Sequence, residues 1–276
     1  MDGELDLAAV TAMAEAVAAV PGVRAVLLGG SRARGTHRTD SDWDLGVYYR
    51  GQPDTGRLAA LAAELTGRRV AVAGPGGWGP WVDGGAWLTV RGVAVDWILR
   101  DVDRVGRVWA DCRAGRYEVG IQPGHPLGFW SPCYPGEVAL GRILADPYGE
   151  LTALRHETRT YPEELRRALI EAAWEADFSV AAAAKSAPAA DTLHVSLCLS
   201  RAFGVLAQSL HAHARTWCLN EKGALAAAAE LPAAPPEFAA RVGALLGGCG
   251  TTAEELTRTV GAAALLVAEV RQALSG

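Results

Sequence analysis

No Cys-x-x-Cys pair occurs in this chain, and its five cysteines (Cys112, Cys133, Cys198, Cys218, Cys249) are odd in number and widely spaced. That excludes a disulfide framework and a cysteine-held zinc site as organising devices, and it fits idle thiols in a reducing compartment. Long apolar runs are missing too. The alanine-rich stretches are broken by Lys, Glu, Pro or Asp before the ~18–20 residues that span a bilayer. The acidic start, MDGELDLAAV, carries no basic leader region. The expectation is a cytoplasmic protein with no membrane partner. Nor is there an excess of positive charge: the formal net charge is −5, with 15 basic against 18 acidic side chains in residues 1–150 and 11 against 13 in the rest. A surface that tracks nucleic-acid phosphates needs the opposite balance, so nucleic-acid partners are not expected. Repeats and low-complexity tails are also absent from the 276 residues, half of which are hydrophobic. That is material for one large domain or two ordinary ones.

What is present changes character at about residue 150. Leu5–Val20 reads as a helix stopped by Pro21-Gly22, and Arg24–Leu28 as a short buried strand ending in Gly29-Gly30. One or two helical turns, a loop and a second strand over Leu45–Tyr49 follow. Leu58–Leu65 is a helix closed by Gly67, and the Gly- and Pro-rich segment Gly74–Gly85 reads as a mobile loop. AWLTV and VAVDWIL flank Arg91-Gly92 as a hairpin. Gly115–Gly149 looks like an irregular connection. Beyond it the spacing predicts helices: from Pro162 through Lys185, from about Asp191 to Trp217, around Lys222–Ala229 and over Ala253–Leu274. The fold class is α+β over 1–150 followed by an all-α lobe over 151–276.

The stretch GGSRARGTHRTDSDWDLGVYY, Gly29 to Tyr49, carries chemistry that a turn does not need. Residues two apart on a strand share a side, so Asp42 and Asp44 face one way together, and Asp96, alternating with Ala94 and Ile98, lies on one face of the same sheet. Three like charges converging are costly without a neutraliser. A hard divalent cation such as Mg²⁺ supplies one, taking a couple of carboxylates together with substrate phosphate oxygens. Gly29-Gly30 lets backbone amides approach a phosphate closely, and Ser31 adds a hydroxyl at a helix start. Taken singly, Asp40, Ser41 and Asp42 are ordinary turn residues, and Arg32, Arg34, His37 and Arg38 form a local basic patch.

A Gly-Gly-Ser turn, Asp-x-Asp eleven to thirteen residues beyond the serine, and a third carboxylate on a later strand together resemble the nucleotidyltransferase superfamily of the DNA polymerase β type. The resemblance implies a mixed sheet with flanking helices. It implies that Gly29, Gly30 and Ser31, with Arg34, hold the phosphates of ATP or another nucleoside triphosphate. It makes Asp42 and Asp44 Mg²⁺ ligands and Asp96 the third carboxylate, as a ligand, as the base toward an acceptor hydroxyl, or as both. The second half, Asp191 through Pro235, is similar to the helical lobe of streptomycin-type aminoglycoside adenylyltransferases. That implies a phosphate contact at Lys222 and a substrate contact at Asp191, although Asp191 also suits a helix N-cap.

Together these imply Mg²⁺-dependent transfer of a nucleoside monophosphate, AMP from ATP first among them, to a hydroxyl of a small acceptor such as an aminoglycoside-like antibiotic. The same chemistry directed at a protein or tRNA, as in toxin–antitoxin pairs, and a non-catalytic nucleotide-binding module are the alternatives. The base stays open between Asp96, Asp83 and a glutamate of the helical lobe. Glu164, Glu171 and Glu175 fall on one line of a single helix, where Arg167 is spaced to pair with Glu164 and Glu171. Were that line part of the site it would suit a polycationic acceptor. Trp78, Trp81, Trp87 and Trp97 read as core and loop anchors, with Trp78 and Trp81 placed to cover a ligand. His125, His211 and His213 lack ligand spacing.

Overall fold

Asp6 opens the first helix by accepting a hydrogen bond from the Ala9 amide at 2.8 Å, which satisfies one of the donors a helix start leaves unpaired. In the computed structural model, which describes residues 5–275, that helix is α1 (Leu7–Ala18). The first four residues of the acidic start, and Gly276, lie outside the described residues. There follow β1 (Val23–Leu28), α2 (Gly30–Ala33), β2 (Trp43–Tyr49), α3 (Thr55–Thr66), β3 (Gly85–Val90), β4 (Val93–Asp101) and α4 (Val102–Arg113). Then come β5 (Val119–Gln122), β6 (His125–Trp130), α5 (Cys133–Leu140), β7 (Arg142–Ala145) and α6 (Glu150–Thr158). Gly67 ends α3 in the left-handed conformation at φ 68°, the usual helix stop. Arg91 and Gly92, at φ 52° and 80°, form the tight turn between β3 and β4 whose positive φ values match strand twist.

Five strands make a mixed sheet in the order β3-β4-β2-β1-β7, with β2 and β4 parallel and every other pair antiparallel. Period-two alternation splits its side chains between two faces. One face holds Leu45 and Val47 of β2, Val95, Trp97 and Leu99 of β4, and Leu88 of β3, packed with Val10, Met13 and Val17 of α1 and Leu58 and Ala62 of α3. The register puts Asp44, Gly46 and Tyr48, Asp96, Ile98 and Arg100, and Trp87 on the opposite face. At one end of that face Arg100 is buried and donates from Nε and Nη2 to both carboxylate oxygens of Glu137 on α5, each at 2.8 Å. A buried guanidinium needs such a partner. The carboxylates lie at the other end.

Two expectations for this unit give way. Gly115–Gly149 is not an irregular connection. It holds the β5–β6 hairpin, α5, and β7, which pairs with β1 through Val26↔Ala145, Leu27↔Ile143 and Leu28↔Arg142. A four-residue strand between a glycine and a proline has too short a pattern to read. The Gly74–Gly85 segment is not a loose loop either. Gln122 accepts from the amides of Trp81 and Val82, both at 3.0 Å, and donates to the Trp78 carbonyl at 2.9 Å. The clamp comes from a residue some forty positions downstream, outside any local window.

The chain divides into two compact units. Met1–Asp111 with Glu118–Thr160 form the first, and Cys112–Tyr117 with Tyr161–Gly276 form the second. The first therefore reaches about ten residues past position 150, because α6 packs on α5 and β1. The second unit is helical: α7 (Glu163–Glu171), α8 (Trp174–Ser186), α9 (Thr192–His213), α10 (Ala224–Ala229), α11 (Phe238–Gly247) and α12 (Ala253–Leu274). Its core sets Ala176 and Val180 of α8 against Leu199, Phe203 and Leu206 of α9 and Leu256, Val260 and Leu266 of α12. Among the described residues α9 alone is long and apolar enough to cross a membrane by length and composition, yet its apolar window is more than half buried in this core. The single helix expected from Pro162 through Lys185 is broken at Ala172-Ala173 into α7 and α8.

Candidate active site

Asp44 and Asp96 are direct neighbours in register on the parallel strands β2 and β4, so their side chains stand side by side on one face. Asp42 precedes β2 by one residue and is exposed. Burial, then the charges of Asp44 and Asp42, pushes the Asp96 carboxyl up to about 6, the response expected of a carboxylate crowded by its own kind.

The glycine pair is built against this cluster. Gly29 donates its amide to the Asp44 carbonyl at 2.8 Å. Gly30 sits at φ +63°, and a Cβ there would lie 1.8 Å from Oδ2 of Asp44. Only glycine allows both the backbone conformation and the carboxylate's position. Ser31 follows in the first turn of α2, where amides have no intrahelical acceptor. Arg32, expected from its sequence neighbours only to join a basic patch, turns inward. Its Nε donates to the carbonyls of Ser41 and Asp42 at 3.0 and 3.1 Å, and its guanidinium carbon lies 4.3 Å from the Trp43 ring centroid. It fixes the backbone that presents Asp42. Arg34, at the end of α2, is exposed.

Asp83 is engaged elsewhere. It is 8% exposed, accepts the Tyr49 hydroxyl at 2.8 Å and takes Nη1 of Arg104 at 3.1 Å. That leaves it holding the loop. Two of the helical glutamates are engaged as well: Arg167 donates to Glu164 at 2.9 Å, and Arg201 grips Glu175 with bonds of 2.6 and 2.9 Å, while Glu171 is exposed. Because α7 and α8 are separate helices, Glu164, Glu171 and Glu175 do not form one continuous line. Asp191 is the N-cap of α9, accepting from the His194 amide at 3.0 Å. Lys222 is exposed ahead of α10, its amide donating to the Asn220 side chain at 2.9 Å. Asp42, Asp44, Asp96 and Gly29–Ser31 thus come together in the first unit, while Asp191 and Lys222 belong to the second.

Among the described residues no three carboxylate, imidazole or thiol groups close into a metal cage. The expected convergence of Asp42, Asp44 and Asp96 is therefore looser than a three-ligand site, as mutual repulsion demands. Asp44 and Asp96 still offer adjacent hard oxygens beside a glycine turn that a Cβ would fill. That donor set fits Mg²⁺, which takes one or two protein carboxylates and completes its shell with water and phosphate oxygens.

One of the four tryptophans read as core and loop anchors, Trp87, is not buried in the core but stands on this face. Trp87 of β3 pairs directly with Asp96 and is 65% exposed. The signal is nevertheless there: a two-residue turn at Arg91-Gly92 sets Val90 against Val93, and counting back sets Trp87 against Asp96.

Comparison with known proteins gives two family matches. Residues 13–72 match the polymerase beta nucleotidyltransferase family, a span that includes the glycine turn and Asp42 and Asp44 and ends before β4. Residues 136–222 match a domain of unknown function, DUF4037. No curated protein sequence matches the chain. Among solved structures it is similar to a nucleotidyltransferase-like protein from Exiguobacterium sibiricum 255-15, at 14% identity and a TM-score of 0.45, over 92% of this chain and 70% of that one.

Proposed function

We propose that this chain, a member of the nucleotidyltransferase superfamily through the polymerase beta domain at residues 13–72, transfers a nucleoside monophosphate, AMP from ATP, to a hydroxyl of a small molecule. The observation that carries the reading is the register that sets Asp44 beside Asp96, next to the Gly29–Ser31 turn. In the proposed reaction the acceptor oxygen bonds to the α-phosphorus as the bond to the β-phosphate bridging oxygen breaks, and pyrophosphate leaves. Gly29, Gly30 and Ser31 hold the departing phosphates through backbone amides and a hydroxyl, and Arg34 adds positive charge at their edge. Asp96, beside Asp44 and facing the far side from the glycine turn, takes the acceptor's proton. Asp42 and Asp44, with Asp96, would hold Mg²⁺, which when bound neutralises phosphate charge and orients attacking and leaving oxygens.

The proposed setting is the cytoplasm, and the proposed acceptor is of the aminoglycoside-like kind. A polycation would need carboxylates other than Glu164 and Glu175, which Arg167 and Arg201 already hold. The deciding experiment incubates the protein with Mg²⁺, each of the four nucleoside triphosphates and a panel of hydroxylated small molecules, proteins and tRNA, read by mass spectrometry. An acceptor heavier by one nucleoside monophosphate supports the reading. No adduct and no pyrophosphate with any combination rejects it in favour of a non-catalytic nucleotide binder.

Two expected results bear on the nucleotide. Ser31→Ala should weaken binding of a non-hydrolysable ATP analogue by about 1–2 kcal/mol, the scale of one hydrogen bond to a charged group. Unchanged affinity by calorimetry removes the Gly29–Ser31 turn from phosphate binding. Lys222→Ala should also weaken that binding, as expected of the phosphate contact that the resemblance implies for this residue. Wild-type affinity in that variant removes the second unit from nucleotide binding and leaves the chemistry to the first.

A further inference from the structure

We propose that Trp87, backed by Trp78, is the platform on which the acceptor lays a flat ring face; the inference rests on the nucleotidyl-transfer reading and names its acceptor class. The two indoles stack at 4.1 Å between centroids and 14° between planes. Trp87 is nevertheless 65% exposed, so the face not covered by Trp78 is open to solvent. Its neighbours on the same sheet face explain the position. Across the strands run Gly29 at the end of β1, Asp44 on β2, Asp96 on β4 and Trp87 on β3.

In-line displacement puts the leaving phosphates and the attacking oxygen on opposite sides of the α-phosphorus. With the departing phosphates at Gly29–Ser31, the attacker arrives from the far side of the carboxylates. That is where Trp87 stands, as the direct cross-strand partner of the proposed base. The nucleoside lies off this line, so the platform serves the acceptor rather than the nucleotide's base.

The platform is also held rigid. Trp78 donates its amide to the Asp83 carbonyl at 3.3 Å, and its own carbonyl accepts from Gln122 at 2.9 Å. Asp83 in turn is locked by Tyr49 and Arg104. The local network that keeps Asp83 out of the chemistry thus fixes the backing indole. Packing on Trp78 occupies one face of the Trp87 indole, and the ring remains 65% exposed on the edge strand beside Asp96. A preorganised π surface beside a base binds an aromatic ring, or the apolar C–H face of a sugar, that carries the reacting hydroxyl.

The test uses the full chain with Mg²⁺ and a non-hydrolysable ATP analogue, and two probes: phenyl β-D-glucopyranoside and methyl β-D-glucopyranoside. Saturation-transfer NMR reads ring contact directly. The expected result is transfer to the phenyl ring, to the sugar C–H groups, or to both, and the two probes separate the aromatic source from the sugar source. Trp87→Ala should lower the signal about tenfold, the scale of one stacking contact, and Trp87→Phe should restore most of it. Affinity for the ATP analogue should be the same in all three proteins.

Absence of transfer to either probe in the wild type, or an undiminished signal in Trp87→Ala, overturns the platform. So does a Trp87→Ala protein that loses nucleotide affinity, which would assign the indole to the base. Failure of the two readings is distinguishable. Nucleotide transfer without ring contact sinks the platform alone, while ring contact without transfer to any acceptor sinks the transfer reading.

Discussion

Asp44→Asn is expected to abolish nucleotidyl transfer while making the metal-free protein more stable. The loss should be about a thousandfold or more in kcat, the several kcal/mol that charge stabilisation by a bound cation supplies. The gain has a separate origin. Burial first, and then the charge of Asp44 beside it, pushes the Asp96 carboxyl from its ordinary 3.8 to about 6. A carboxyl raised in this way keeps its proton in the folded chain over a range where the unfolded chain has released it. Stability in the presence of EDTA is therefore highest at the acid end of that range, falls as pH rises from about 4 to about 6, and is flat above. The fall is on the order of 1–3 kcal/mol for a shift of this size in a partly buried group. In Asp44→Asn the slope should shrink, and the melting temperature at pH 7 should exceed that of wild type. Thermal denaturation across pH 4–8 measures it. A variant that still turns over at saturating Mg²⁺ removes Asp44 from the metal site; one that melts lower at neutral pH without metal removes the repulsion.

The carboxylate geometry is legible in the amino-acid sequence because it depends on the two-residue period of a strand. Asp44 and Asp96 fall at positions where that period fixes the side, whereas Asp42 lies one residue ahead of β2, outside its reach. The tight turn at Arg91-Gly92 fixes the register of β3 on β4. The helices are legible where caps mark them, as with Gly67, and where apolar spacing is long, as over Leu199–Leu210. What does not show is long-range or carried by single atoms. Gln122 clamps Trp78, Trp81 and Val82 from another hairpin. Arg32 reaches back to the carbonyls of Ser41 and Asp42. Composition makes Gly74–Gly85 look mobile and makes Asp83 look available as a base, since neither the Tyr49 hydroxyl nor the Arg104 guanidinium is near it in sequence. Pattern reports which side a residue faces; partners at that site are set by tertiary packing.

Gly30→Ala is expected to cost activity on the order of a hundredfold, without removing any functional group. Gly30 holds φ +63°, and the added Cβ would stand 1.8 Å from Oδ2, 2.8 Å from Cγ and 3.3 Å from Cβ of Asp44. The nearest atom belongs to a side-chain end, so the fold survives and the carboxylate moves instead. A displacement of about 1 Å in a reacting arrangement costs on the order of a hundredfold, and here it shifts the group packed beside Asp96. The left-handed backbone adds strain of about 1–2 kcal/mol for a residue with a Cβ. Gly35 supplies the control, since its φ is +70° and a Cβ there meets nothing within 4 Å. Gly35→Ala should therefore lose similar stability and keep its turnover. Paired measurements of melting temperature and kcat on the two variants separate strain from displacement. Equal activity in both would mean that Gly30 serves only the turn and that Asp44 tolerates being moved.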